Sequence, residues 1–135
     1  MDKKELIRLA LEARQMSYSP YSKYKVGAAL LTKGGKVYQG CNIENAAYTP
    51  TNCAERTAFF KAVSEGEREF EAIAIAGGYG EEPVDYAWPC GVCRQVMMEF
   101  CEPKSFLVIT VKSETEYQEA TLEEMLPCGF GANNL

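Results

Sequence analysis

Apolar residues recur at Leu6, Leu9, Ala10, Ala13 and Met16 with the spacing of one helical face, and Asp2 stands where it can cap the start. This predicts a helix from Asp2 to about Met16. Tyr18-Ser19-Pro20-Tyr21-Ser22 breaks it with turn residues. Val26 to Leu31 and Val37 to Asn42 flank Lys33-Gly34-Gly35-Lys36, which reads as a hairpin whose glycines supply the positive φ angles of the turn. Ile43 to Thr51 keeps no period and reads as a loop that delivers polar groups. Further along, a second helix is expected from Asn52 to about Ser64, a buried strand from Glu71 to Ala76, and a loop from Gly77 to Trp88. Pro89 suits the first position of a third helix, Cys90 to about Phe100. Phe106 to Val111 is a continuous apolar run of the kind found in strands covered on both faces. Thr121 and Glu124 match a capping box at the start of a short last helix ending near Leu126. The order helix, hairpin, helix, strand, helix, strand implies an α/β fold, a mixed sheet with helices on both faces.

With 135 residues, 47% of them apolar and 24% charged, the chain fits one soluble globular domain spanning 1–135. It contains no run of about 18 apolar residues and no secretory leader at its start, so the expected location is cytoplasmic. The net charge is -5 and the Lys and Arg residues are scattered, which argues against a nucleic acid polymer as partner. In a reducing compartment six cysteines point to metal binding or burial rather than to disulfides. Cys41, Cys101 and Cys128 read as buried small hydrophobes.

The remaining three carry chemistry. Cys53 and the pair Cys90 and Cys93 all lie at predicted helix starts, where the dipole and free N–H groups favour thiolates. Three such ligands hold one Zn2+ and leave its fourth position open to a water, the pattern of a catalytic rather than a structural site. Glu55 is placed beside that position as a proton shuttle; equally, with Asn52 it fits a capping box. Three thiolates leave the site at -1 and weaken the metal's pull on its water. Arg56, on the same helical face as Cys53, offsets this: at about 5 Å and an effective dielectric near 20 a guanidinium is worth on the order of 3 kcal/mol, about two pKa units. A lone Cys-x-x-Cys also fits a redox motif, and a fourth thiol from Cys41, Cys101 or Cys128 would make a structural zinc knuckle. The third cysteine with its glutamate weighs against the redox reading.

Cys-Ala-Glu-Arg at 53–56 with Pro-Cys-Gly-Val-Cys-Arg-Gln-Val at 89–96 resembles the zinc-dependent nucleoside and nucleobase deaminases. Gly40 to Tyr48, Gly-Cys-Asn-Ile-Glu-Asn-Ala-Ala-Tyr, looks like the substrate loop of the small tetrameric cytidine deaminases with three cysteine ligands. The resemblance implies a three-layer α/β/α fold with a mainly five-stranded sheet, one zinc per subunit, and deamination of cytidine and 2'-deoxycytidine in pyrimidine salvage. It implies Glu55 as the proton shuttle, Asn42 and Glu44 on the ribose hydroxyls, the Ala54 N–H on the base O2, and Tyr24 packed on the pyrimidine. Tyr48 and Phe130 would reach in from neighbouring subunits of a homotetramer. Trp88 stands where many relatives carry a small residue, and the spacing before Phe130 also departs from the usual. Alternatives are a deaminase of another cytosine compound such as blasticidin S and, in another class, a zinc-stabilised binding module. Asn42 and Glu44, taken without the resemblance, read as a turn asparagine and a solvated acid.

Overall fold

The computed structural model describes residues 1–83 and 85–135; position 84, within the loop predicted over Gly77 to Trp88, lies outside the described residues. Helix α1 (Lys3–Arg14) leads to strands β1 (Tyr24–Thr32) and β2 (Val37–Cys41), then α2 (Ala54–Ser64) and β3 (Phe70–Tyr79). Helix α3 (Gly91–Phe100), β4 (Leu107–Val111), β5 (Tyr117–Thr121) and the one-turn α4 (Leu122–Met125) complete the order. The five strands form one mixed sheet in the order β2-β1-β3-β4-β5, with β3 and β4 parallel and the other neighbours antiparallel.

The predicted three layers are present, and strand alternation builds them. Ala72, Ala74 and Ala76 face α1, which buries Leu6, Ile7 and Ala10 there. Ile73 and Ile75 face the other way, against Ala58, Phe59 and Ala62 of α2 and Met97 of α3. Phe59 anchors that side, its ring 5.0 Å from Phe70 and 6.1 Å from Phe106. Helix α2 lies close on the sheet because β2 carries Gly40: a Cβ there would come within 2.5 Å of Ala58 N and 2.6 Å of Ala54 O. That close approach fixes where the N-terminus of α2 emerges.

Several expectations are corrected. The first helix ends at Arg14 because the N–H groups of Gln15, Met16 and Ser17 turn to carbonyls three residues back, tightening the last turn. The second starts at Ala54, with Cys53 as N-cap, while the side chain of Asn52 donates to Thr57 Oγ1 at 3.1 Å instead of capping. Pro89 lies before the N-cap, Cys90, and so is not the first helical residue. Strand β3 runs through Gly77 to Tyr79, since β1 offers it partners as far as Tyr24. Strand β5 lay in a stretch with no strand pattern. The Thr121–Glu124 capping box is formed.

Arg14 is buried, 3% exposed. Its guanidinium donates to four carbonyls, those of Lys25, Gly78, Gly80 and Glu81, at 2.7 to 3.2 Å. It thereby ties the end of α1 to the start of β1 and the end of β3. Among the described residues no helix is long and apolar enough to cross a membrane.

Candidate metal centre and cleft

The two cysteine sets meet at the starts of α2 and α3. Cys53 and Cys90 are the N-caps of these helices, neither making a side-chain capping bond, and Cys93 is one turn into α3. The three sulfurs lie within 4.8 Å of one another, with Cys53 Sγ and Cys90 Sγ 3.8 Å apart. Tetrahedral zinc with Zn–S bonds of about 2.3 Å separates two sulfurs by roughly 3.8 Å, so the donor set fits that ion. Among the described residues no other group of three or more candidate ligands converges.

Proton affinity tells the same story. The Cys53 thiol is pulled well below its usual range, first by a hydrogen bond from Cys93 and then by the Arg56 guanidinium, against the cost of burial. Cys93 is pushed up because it keeps the proton that Cys53 shares. A dication is the natural replacement for that proton, since it can hold all three sulfurs as thiolates. Arg56 Nη2 donates to Cys53 Sγ at 3.3 Å, a direct contact closer than the sequence spacing required. Its Nε is the buried side-chain polar atom left without a partner among the described residues.

Glu55 is 4% exposed. Burial lifts its carboxyl to about 7, with the Cys53 charge adding to the rise; a hydrogen bond from its own backbone N–H and the charge of Arg56 pull the other way. With Cys53 as N-cap, Glu55 occupies the second helical position, and the capping box predicted with Asn52 is not formed. The carboxyl is therefore free of a capping duty.

Glu55, Ala54, Cys53 and Cys90 line a cleft of about 330 Å³ together with Tyr24, Trp88, Asn42 and Glu44. Asn42 is buried and firmly oriented: its Oδ1 accepts from Ser17 Oγ at 2.5 Å and Val26 N at 3.0 Å, and its Nδ2 donates to Tyr24 O at 2.8 Å. One Nδ2 hydrogen remains for a ligand. Glu44 is not a merely solvated acid. Its Oε1 accepts from Tyr21 N and Ser22 N at 3.0 and 3.1 Å, and its Oε2 from the Ser22 hydroxyl. These bonds, the Ser22 hydroxyl first, hold its carboxyl below the usual range. The Tyr24 ring packs edge-on against Tyr79, centroids 5.0 Å apart, and burial raises its phenol pKa.

Two predicted contacts stand apart within one chain. Tyr48 (74% exposed) lies in a neighbouring depression with Tyr21 and Glu44, and Phe130 (58% exposed) sits where its carbonyl accepts from Gln95 Nε2. Of the other cysteines only Cys101 is buried as expected. Cys41 is half-buried, its thiol donating to Met16 O at 3.4 Å, and Cys128 is exposed with φ 57 in the tail beyond the core. None of the three joins the metal cluster among the described residues, which removes the fourth ligand a zinc knuckle needs. Ser22 and Asn52 also line the cleft without having been singled out for it. Ser22 could have been found as the hydroxyl nearest the tyrosines of the Pro20 turn; Asn52 is masked by its resemblance to a cap.

A model of the cytidine and deoxycytidylate deaminase zinc-binding region matches residues 1–110. The chain is 50% identical over its full length to a cytidine deaminase of Sporosarcina psychrophila, of which it covers 96%. It is 32% identical over 133 residues to a blasticidin-S deaminase of Bacillus cereus, covering 92% of it. Among solved structures, a cytidine deaminase from Burkholderia pseudomallei superposes with a TM-score of 0.87 at 45% identity, over 96% of this chain and 100% of that one.

Proposed function

The chain belongs to the cytidine and deoxycytidylate deaminases, and from that premise we propose that it hydrolyses cytidine and 2'-deoxycytidine to uridine and 2'-deoxyuridine, releasing ammonia. It is a zinc-dependent hydrolytic enzyme with a small-molecule nucleoside as substrate. The observation that carries the reading is the convergence of three cysteine sulfurs beside a buried carboxyl on one cleft.

Cys53, Cys90 and Cys93 hold the zinc in this proposal. When bound, the zinc supplies the Lewis acid that makes the attacking water nucleophilic at neutral pH. Glu55, with a carboxyl near 7, can take and give protons close to neutrality. It takes one proton from the attacking water and delivers it to N3 of the base; the second proton of that water, released as the C4 carbonyl forms, passes through the same carboxyl to the departing amine. The N–H of Ala54, at the first turn of α2 where it lacks an intrahelical acceptor, donates to the base O2. Tyr24 packs on the ring. Asn42 donates to a ribose hydroxyl that in turn donates to Glu44, whose turn-bound carboxylate keeps lone pairs to spare. Arg56 neutralises the thiolate site by its contact with Cys53 rather than touching substrate.

Assembly into a homotetramer would bring Tyr48 and Phe130 to neighbouring clefts. Their exposure in the single chain supports this, as do Phe60 on α2 and Val92 on α3, which also stand in solvent. Nucleoside salvage in the cytoplasm completes the proposal; six free cysteines suit a reducing compartment. The ribose-directed pair Asn42 and Glu44 favours cytidine over blasticidin S. The test is loss of the cytosine ultraviolet absorbance on adding cytidine to protein of known zinc content, compared with blasticidin S. Cys53→Ser should lose both zinc and activity, and a variant retaining full zinc would refute the ligand assignment.

A further inference from the structure

Trp88 is the chain's single tryptophan, and it lies two residues before the ligand Cys90 with 39% of its surface in solvent. Among the described residues no other aromatic ring pairs with it, yet the backbone on either side is tightly held. The Ala87 carbonyl accepts from the buried Thr110 Oγ1 at 3.0 Å, and the Pro89 carbonyl accepts from Arg94 Nε at 2.7 Å. Ala87 itself packs onto Gly77, where an added Cβ would meet it at 2.7 Å and Val26 at 3.2 Å. A large side chain is thus carried on a fixed backbone at the edge of the cleft.

The chemistry of the cleft decides which part of a base it meets. Reaction at C4 places that atom beside the three sulfurs and Glu55, and the sugar extends toward Asn42 and Glu44, so the line from C4 to N1 is set. Two ring edges remain. The N3–O2 edge requires a proton donor and an N–H, which Glu55 and Ala54 at the start of α2 provide. The other edge, C5–C6, carries only C–H groups and suits the apolar lining of the cleft, to which Val26, Ile75 and Ala87 contribute small or branched side chains and Trp88 a large ring. At about 330 Å³ the cleft stands at the small end of ligand sites, with little space beyond a compact nucleoside. We propose that Trp88 is a specificity-determining residue, a wall against the C5–C6 edge that selects cytosines without a C5 substituent; this rests on the cytidine reading above.

The experiment compares kcat/KM for cytidine and 5-methylcytidine in the zinc-loaded wild type, Trp88→Ser and Trp88→Phe. One methyl group in a tight apolar pocket is worth about 10–200-fold in discrimination. The ratio of 5-methylcytidine to cytidine should therefore rise about tenfold or more in Trp88→Ser and less in Trp88→Phe. Tryptophan emission of the wild type should also change as uridine saturates the cleft, a readout that stands even where a variant fails to fold. An active wild type whose ratio is unmoved in Trp88→Ser overturns the role of Trp88 alone, and wild-type protein inactive on cytidine overturns the deaminase reading with it. Emission that follows protein concentration and ignores uridine would place the ring in a contact between copies and also overturn the inference.

Discussion

Two regions of this molecule bury a charged residue, and they treat it in opposite ways. At the end of the sheet Arg14 is surrounded by four carbonyls that take its guanidinium donors. Beside the metal centre Glu55 has, for all its burial, only its own backbone N–H and nearby charges, and its carboxyl is lifted to about 7. A buried ion that is fully hydrogen-bonded supports the fold, whereas one left short of partners is held in a state the fold does not favour. The contrast supports a structural role for Arg14 and the proposed chemical one for Glu55.

The largest effect is expected of Glu55→Gln. This variant should retain its zinc yet lose rate well beyond the roughly 10²–10⁴-fold typical of one acid–base group, since one carboxyl serves several transfers. A variant keeping a tenth of wild-type activity would end the proton-shuttle role. The same change should raise thermal stability. In the zinc-free protein Glu55 has a folded pKa above its unfolded value of about 4.3, so the wild type stripped of metal loses stability as pH rises toward about 7 while the stripped glutamine variant does not. Melting curves of the two proteins should diverge across that window and run parallel above it.

Arg14→Met tests the other half. It leaves four carbonyls without their donor, at a cost of about 3 kcal/mol, or roughly 10 °C in Tm for a chain of this size. The rate of the folded protein should fall far less than in Glu55→Gln. A variant melting with the wild type would show that the carbonyls find water, and the distinction between the two charges would weaken.

Arg56→Ala gives the smallest and most specific effect. Its guanidinium contacts the Cys53 sulfur rather than carbonyls, which supports the proposed tuning role. Loss of its field should move the acid limb of the pH–rate profile alkaline by about one to two units with KM little altered. A rise in KM with a fixed profile would assign Arg56 to substrate binding instead.

The chemical region was the more legible of the two in the sequence. Cys53, Glu55, Cys90 and Cys93 announce themselves because a helix start fixes the relation between neighbours in the chain, and only the meeting of α2 with α3 needed the fold. Arg14 gave no such sign. In the last turn of a helix an arginine reads as a dipole partner, and its acceptors at Gly78, Gly80 and Glu81 come from 64 to 67 positions away. Strand β5 was hidden for a related reason: Tyr117-Gln118-Glu119-Ala120-Thr121 shows no apolar alternation, and it is a strand because β4 offers it an edge. Cys41 and Cys128 show the limit of residue-type reasoning, since a thiol is buried only where the chain happens to carry it inward.

The uncapped starts of α2 and α3 have a consequence for how the chain is held together. Cys53 and Cys90 are 37 positions apart, and neither uses its sulfur to close its own helix end. An ion gripping both acts as a reversible cross-link in the way a disulfide would. A loop of that length closed by such a link removes about 4 kcal/mol of chain entropy from the unfolded ensemble. Chelation would then do more than silence a reaction: it would unfasten two helices from each other, making metal supply a control on the lifetime of the protein.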